Sequence, residues 1–597
     1  MPSLRRIPAA AAVLFFAAGA TPASAVELVG VDVRGIDDAT ERDNVVNSLS
    51  LNKLDEARRR DLRPGRLAYL LRVAPEEVRT ALEPYGYYDT EVEIDEQRSG
   101  DEVRVVVTVD QGEPVTVTRR IARINGEATE DPALAPPLVN LEPRPGDVLD
   151  HRRYEAGKTR INRVMNERGY FDHRLVTHQV LVTRASHSAD IELVWESGQR
   201  YEMGAAEFNG HVFRPGLLEQ LVTWEPGDPY LQRHLLTLNS ALVDLDYFGF
   251  VDVQPAPERA EPGGQVPIVV DLTMAKRTAY SAGLSYGTDS GAGVRLGMNR
   301  RYVNDRGHKL EAEADIAQYR RSIATSYRIP AFAWVNGWWT LAANLREEED
   351  VTTGDTVTIP FRTFEIIGSR NGRIGNWNLV ASMHLQRERF EIVDDVRFAN
   401  LFYPELSAQY ARADDRLYPR NGFGFSADVR SGPEFLGSDV AFSQLEVGAN
   451  WVRGFGERNR VLVRGRIGTT TSDDFDNLPP SMRFYAGGDR SVRGYAYREI
   501  GPRVYDPERE RDLVIGGKHL AVASVEYERM ITESWGGAVF VDAGDAFNSR
   551  DDFDAKVGVG FGVRWRSPVG PVRVDIGHGL DDPESAFQLH INIGTDL

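Results

Sequence analysis

The 597-residue chain contains no cysteine, which excludes disulfides and thiolate metal sites together. Without cross-links, a chain of this length must rest on large cores. Positive charge is also in deficit: 70 Lys and Arg stand against 89 Asp and Glu, a formal net charge of −19. That balance argues against nucleic acid as a partner. Long apolar runs are missing too. Beyond the N-terminus, none approaches the roughly 20 residues of a membrane helix. A membrane-spanning role would therefore need a closed barrel, the other architecture that satisfies every backbone group in lipid. Nucleotide chemistry finds no support, because "GVGFG" (Gly558 to Gly562) leads into no helix and carries no Lys-Ser/Thr. His151, His173 and His178 are scattered without a metal-site spacing. No metal and no cofactor is expected.

The N-terminus does hold one short apolar stretch, "AAAAVLFFAAGA", behind Arg5 and Arg6 and closed by the small residues Ala23, Ser24 and Ala25. This is the layout of a cleaved secretion signal over residues 1–25, with Val26 as the first mature residue.

The first half then repeats itself. "YGYYDTEVEI" from Tyr85, "RGYFDHRLV" from Arg168 and "FGFVDVQ" from Phe248 share a Gly-aromatic turn, with Gly86, Gly169 and Gly249 at intervals of 83 and 80 residues. "RPGD" (Arg144 to Asp147) returns as "EPGD" (Glu225 to Asp228) at a similar interval. Within each unit a short strand precedes helical spacing, as in "HRRYEAGKTRINRVMNERGY", and two β-branched strands follow, as in "VRVVVTVD". The predicted order is β-α-α-β-β, in three units over 26–113, 114–199 and 200–275. An edge strand of such a unit can accept an extended peptide by strand addition.

From about Arg277 helical periodicity gives way to long alternating segments. In "KVGVGFGVRW" the residues Val557, Val559, Phe561, Val563 and Trp565 share one face; Gly558, Gly560, Gly562 and Arg564 share the other. "FQLHINIGT" alternates in the same way. A soluble sandwich would alternate as well, but it would not place arginine, aspartate and glycine on the face meant for its core. The pattern predicts an all-β transmembrane barrel over 276–597, with room for about 16 antiparallel strands. Trp535, Trp565 and Tyr527 near strand ends suit interfacial girdles. "GLSYG" (Gly283 to Gly287) matches the nucleophile elbow of serine hydrolases, with Ser285 as its nucleophile. It lies in an alternating strand rather than a strand-turn-helix, so an outer-membrane lipase is the weaker alternative. A passive porin would need neither the repeats nor the loop described next.

"LPPSMRFYAGGDRSVRGYAYREIGP" (Leu478 to Pro502) joins two late strands and is unusually rich in aromatics and arginine. Glu526 and Glu528 fall on the inward face of "LAVASVEYE", and Asp542 on that of "FVDAG". A loop folded back into the barrel would let Arg493 meet these carboxylates through its planar fork.

"GGDRSVRGY", with Gly487, Gly488, Val492, Arg493, Gly494 and Tyr495, resembles the loop-six motif of the BamA/TamA superfamily of outer-membrane barrels. "FVDAG" (Phe540 to Gly544) resembles its Phe-x-Asp-x-Gly strand, "SVEYE" the strand that supplies its glutamate at Glu526, and "GPVRVDIG" (Gly570 to Gly577) another late strand. The resemblance implies that the three repeats are POTRA domains in the periplasm and that Arg493 pairs with Glu526 and Asp542. Three units and this wording of the loop are most similar to the TamA group within the superfamily. It further implies protein insertion at the outer membrane, autotransporters among the clients, by strand addition at a lateral gate between the first and last strands. Implied partners are a TamB-like inner-membrane-anchored protein at the POTRA domains, unfolded outer-membrane proteins and outer-membrane lipid. A two-partner-secretion transporter and a lipid-transport component are the alternatives within this architecture. The ending "IGTDL" departs from the terminal aromatic common among outer-membrane barrels.

Overall fold

The computed structural model describes residues 25–287, 291–332, 336–349, 352–353, 356–393, 395–507, 510–567, 570–581 and 587–593. Residues 1–24 of the expected signal and the four residues after Ile593 lie outside the described residues.

Each of the first two repeats is a three-stranded sheet backed by helices. In the first, Glu27–Arg34 runs parallel to Glu102–Asp110, which pairs antiparallel with Glu91–Ser99. Its long helix, Pro64–Leu82, starts on proline and buries Leu67, Leu70, Ala74, Val78 and Leu82 at three- and four-residue spacing. That stripe meets the alternating valines Val103, Val105, Val107 and Val109 in one core. The second repeat has the same topology through Thr116–Asn125, Ser188–Glu196 and Arg174–Thr183. Its helix His151–Glu167 is capped by Asp150, whose carboxylate accepts from the backbone N–H of Arg152 at 2.8 Å. The third repeat has the same order, with its first helix shortened to the single turn Glu219–Leu221 before Gln232–Asp244.

The repeat turns differ in one respect from the sequence expectation. Gly86 and Gly169 occupy the left-handed region at φ 93° and 87°, but in the third unit Asp246 does so at φ 53°. Gly249 lies three residues later, inside the strand Phe248–Pro255. A short polar side chain tolerates the left-handed conformation, so the third unit needs no glycine there.

A buried ion pair braces the second repeat. Arg168, at the end of its helix, donates to both carboxylate oxygens of Asp131 at 3.0 Å, and Tyr170 donates to the same group at 3.2 Å. Burial opposes ionisation of Asp131, yet the N–H of Ala133 and the Arg168 guanidinium hold its carboxyl below the usual range. A depressed folded-state pKa contributes stability above the unfolded value, lost as pH falls through the folded one. Acid unfolding of this repeat is therefore expected to begin as pH drops below about 4, the unfolded value for Asp. Asp131→Asn should flatten that part of the pH dependence, read as amide exchange in 151–167 between pH 3 and 7.

The second half is one sheet of sixteen strands, taken in sequence order from Thr278–Gly287 to Gln588–Ile593, with antiparallel pairing throughout. Alternation decides which way each side chain points. Phe561 and Val563 are 59% and 48% exposed on the outer face, while Arg564, next in the strand, is 2% exposed on the inner. Apolar residues outward and charge inward is the arrangement of a barrel whose solvent outside is lipid. Trp535 and Trp565 stack at 5.4 Å on this outer face, where amphipathic rings suit the membrane–water boundary. No described helix is long and apolar enough to cross a membrane.

Two of the connections form structure of their own. Thr352–Thr353, Thr356–Thr358, Arg511–Val514 and Arg503–Asp506 make a separate four-stranded sheet. The last two of these belong to the long connection of residues 472–518.

Among the described residues the first and last strands share no paired register, and the last strand, six residues long, pairs only with Gly570–Gly579.

Candidate functional site

The connection of residues 472–518 folds inward between the strands Asn459–Thr471 and His519–Met530. Its tip is a tight reversal. Ala486 and Ile500 exchange backbone hydrogen bonds at 3.0 and 3.1 Å, and Gly488 N–H donates to the Tyr495 carbonyl at 3.1 Å. Gly487, Gly488 and Gly494 all have φ between 95° and 102°, a conformation that glycine adopts without steric cost.

The tip lies against a track of glycines on the inner wall. A methyl group at Gly558 would overlap the carbonyl oxygen of Arg493, and one at Gly577 would come within 2.7 Å of the Gly494 nitrogen. One at Gly579 would meet the Tyr495 ring at 2.6 Å. Backbone packs directly on backbone here, with apolar cover from Phe484, Val492, Tyr495, Leu520 and Val522.

Arg493 is thereby delivered, 2% exposed, to a group of carboxylates. Its Nε and Nη2 donate to the two oxygens of Asp542 at 2.7 and 3.0 Å, and its backbone N–H donates to Asp542 at 3.0 Å. Nη1 donates to Glu526 at 2.6 Å and to Asp575 at 3.1 Å. The guanidinium carbon also sits 3.5 Å from the centre of the Phe540 ring, a cation–π contact strengthened by exclusion of water.

A second arginine ties the same acids together. Arg564 donates to Glu526 at 2.6 Å, to Glu528 at 2.8 Å and to Asp575 at 2.6 Å. Glu528 in turn accepts from Arg460 at 2.5 Å and from the Tyr418 hydroxyl at 3.2 Å. Arg460, Arg493, Arg564 and Arg573 are buried with Glu526, Glu528, Asp542 and Asp575, so the lattice is close to neutral. That balance is needed, since an uncompensated buried charge is strongly destabilising.

Further along, the same connection reaches the far wall. Arg498 pairs with Glu348 at 2.9 Å and lies within 5.4 Å of the ring centres of Phe361, Tyr485 and Tyr497. Ser481 N–H donates to the buried Glu388 at 3.2 Å.

Of the residues singled out in the sequence, Gly487, Gly488, Val492, Arg493, Gly494, Tyr495, Glu526 and Asp542 all meet in this one place. Asp575 and Arg564 belong to the same lattice and were not singled out. Their signal was present: both sit at inward positions of alternating strands, Arg564 in "KVGVGFGVRW" and Asp575 in "GPVRVDIG". Ser285 lies in the first barrel strand, paired with Gly293, and its side chain lies outside the described residues. Two of the three histidines take part in repeat packing, His151 meeting the Tyr88 hydroxyl at 2.8 Å and His173 the Tyr170 carbonyl at 2.7 Å, while His178 is exposed on its strand.

Comparison with known proteins follows this division of the chain. Residues 303–597 match the Omp85 superfamily domain, and residues 30–111 match the first POTRA domain of TamA. The outer membrane protein assembly factor BamA of Nitratidesulfovibrio vulgaris is 26% identical over 383 residues, 61% of this chain and 46% of that protein. The BamA of Neisseria meningitidis serogroup B is 24% identical over 221 residues, 31% of this chain and 27% of the relative. The matches thus span less than half the length of either relative. The crystal structure of BamA from Haemophilus ducreyi lacking POTRA domains 1–3 superposes with a TM-score of 0.68 at 16% identity, over 80% of this chain and 99% of that one. At that identity the likeness is one of fold.

Proposed function

Because the chain belongs to the BamA/TamA superfamily, as an outer-membrane β-barrel with periplasmic POTRA domains, we propose that it inserts or translocates other proteins at the outer membrane in the manner of TamA. The observation that carries this reading is the seam. Among the described residues the last strand has a ladder on one side only. An unpaired strand edge presents a row of N–H and C=O groups that templates a further strand. An unfolded barrel protein is a chain of such strands, each of which needs a partner before it can enter lipid. Adding one strand after another at the seam meets that need without covalent chemistry.

In this reading the loop-six lattice, Arg493 with Glu526, Asp542 and Asp575, keeps the wall beside the seam rigid while the seam itself gives way. The POTRA repeats offer sheet edges on the periplasmic side, at which unfolded clients and a TamB-like inner-membrane-anchored partner would dock by strand addition.

The test uses the purified chain in liposomes with a urea-unfolded barrel protein as client. Folding of the client, read as resistance to protease or to heat-dependent gel shift, is expected to run at least tenfold faster than in empty liposomes. No acceleration by a well-folded barrel would sink the reading for the chain acting alone. Stimulation only when an inner-membrane partner is added would assign the activity to the pair. Transfer of labelled phospholipid without client folding would favour the lipid-transport reading instead.

A further inference from the structure

The lattice around Arg493 holds the loop to three strands, His519–Met530, Trp535–Phe547 and Gly570–Gly579. Among the described residues the last strand contributes nothing to it. Two other hydrogen bonds there connect that strand to the loop, and they flank the arginine. His590, 3% exposed on the inner face, accepts through Nε2 from the Gly494 N–H at 3.0 Å. Its other ring nitrogen is buried without a hydrogen-bond partner among the described residues, so the loop supplies the ring's hydrogen bond there. Two residues on, Asn592 donates through Nδ2 to the Asp489 carboxylate at 2.8 Å. His590 and Asn592 are consecutive inward positions of the strand.

We propose that His590 and Asn592, with Asp489 and the Gly494 N–H, form a latch by which loop six positions the last barrel strand and which must release for a client strand to be accepted. The proposal rests on the insertion reading above. Its logic is one of unequal strengths. The arginine lattice is made of charge-assisted, bidentate and fully buried bonds, whereas the latch is one neutral hydrogen bond and one amide–carboxylate contact. When the seam is worked, the latch opens first and the loop stays seated. A strand pinned through its inward side chains to a fixed loop keeps its place in the wall. Once unpinned, it is held by the six pairs it makes with Gly570–Gly579 and is free to swing and present its edge.

The native chain has no cysteine, so Asp489→Cys/Asn592→Cys carries two unique thiols that a short reducible bis-methanethiosulfonate reagent can join. Cross-linking keeps the latch closed and disrupts nothing else, so a purely structural contact would tolerate it. In the liposome assay the cross-linked protein is expected to fold the client at least tenfold more slowly than the same variant left open, with full recovery on adding reductant. An unchanged rate after cross-linking overturns the proposal.

If the wild-type chain itself gives no acceleration, it is the insertion reading that fails. The latch is then decided by amide hydrogen exchange of the protein without client. His590→Leu/Asn592→Leu is expected to raise exchange at 588–593 at least tenfold while leaving 519–530 as in the wild type. His590→Gln, which keeps an acceptor, should return most of the protection. Equal protection of 588–593 in the double leucine variant and the wild type overturns the latch.

Discussion

Replacing Arg493 by alanine is expected to release loop six from the barrel wall. The substitution removes five hydrogen bonds to Glu526, Asp542, Asp575 and Ser524 from the side chain. It leaves Glu526 and Asp575 paired with Arg564, and Asp542 with the backbone N–H of residue 493 in place of a guanidinium. Breaking a buried pair by deleting one partner costs about 3–5 kcal/mol. Few local structures can absorb that, so the loop should leave its seat rather than stay with the charge unbalanced. Trypsin reads the outcome directly. Cleavage after Arg498, which is partly buried against Glu348 in the wild type, should become at least a hundredfold faster. Arg493→Lys should fall near alanine, because a single ammonium cannot span the two oxygens of Asp542 while reaching Glu526. Unaltered cleavage in the alanine variant would mean the lattice does not hold the loop.

The second large effect comes from a residue with no charge at all. Gly558→Val is expected to expel the same loop, because its side chain would occupy the space of the Arg493 carbonyl. Overpacking usually costs about 1–3 kcal/mol. Here it should lie at the upper end, since the obstacle is backbone held on the other side by Asp542. All the ionisable groups remain in this variant, so it separates loop seating from charge. If both variants act by unseating the loop, the double variant should cleave no faster than the worse single one, a non-additivity expected of residues that share one contact. Additive effects would show that Gly558 and Arg493 support different structures.

How much of this was open to inspection in the sequence depends on how local the signal was. The barrel declared itself through alternation, because a strand between lipid and a polar interior must change character at every residue. The same alternation put Glu526, Glu528 and Asp542 on the inner face. Asp575 and Arg564 obey it equally, but which inward charges converge on one point depends on the stagger between strands, and stagger leaves no mark in a single strand. The third repeat shows another limit. Its Gly-aromatic pair at Gly249 imitates the turn of the first two units, while the turn itself is made by Asp246. Glycine permits a left-handed residue without requiring one, so a spacing argument built on glycine can slip by three residues. The latch was out of reach altogether: His590 and Asn592 look like ordinary polar positions, and only the folded loop gives them partners.

The seated loop also bears on what the outer membrane lets through. A sixteen-stranded cylinder is wide enough to hold an aqueous channel. In this chain the inserted connection runs from the wall beside the seam, at Asp542, to the opposite wall at Glu348. Ions and small toxic solutes therefore find an obstructed passage, and a cell could keep many copies of the protein without short-circuiting its own permeability barrier. On the proposed reading, in which the seam opens sideways into the bilayer, the work is done with the bore kept shut.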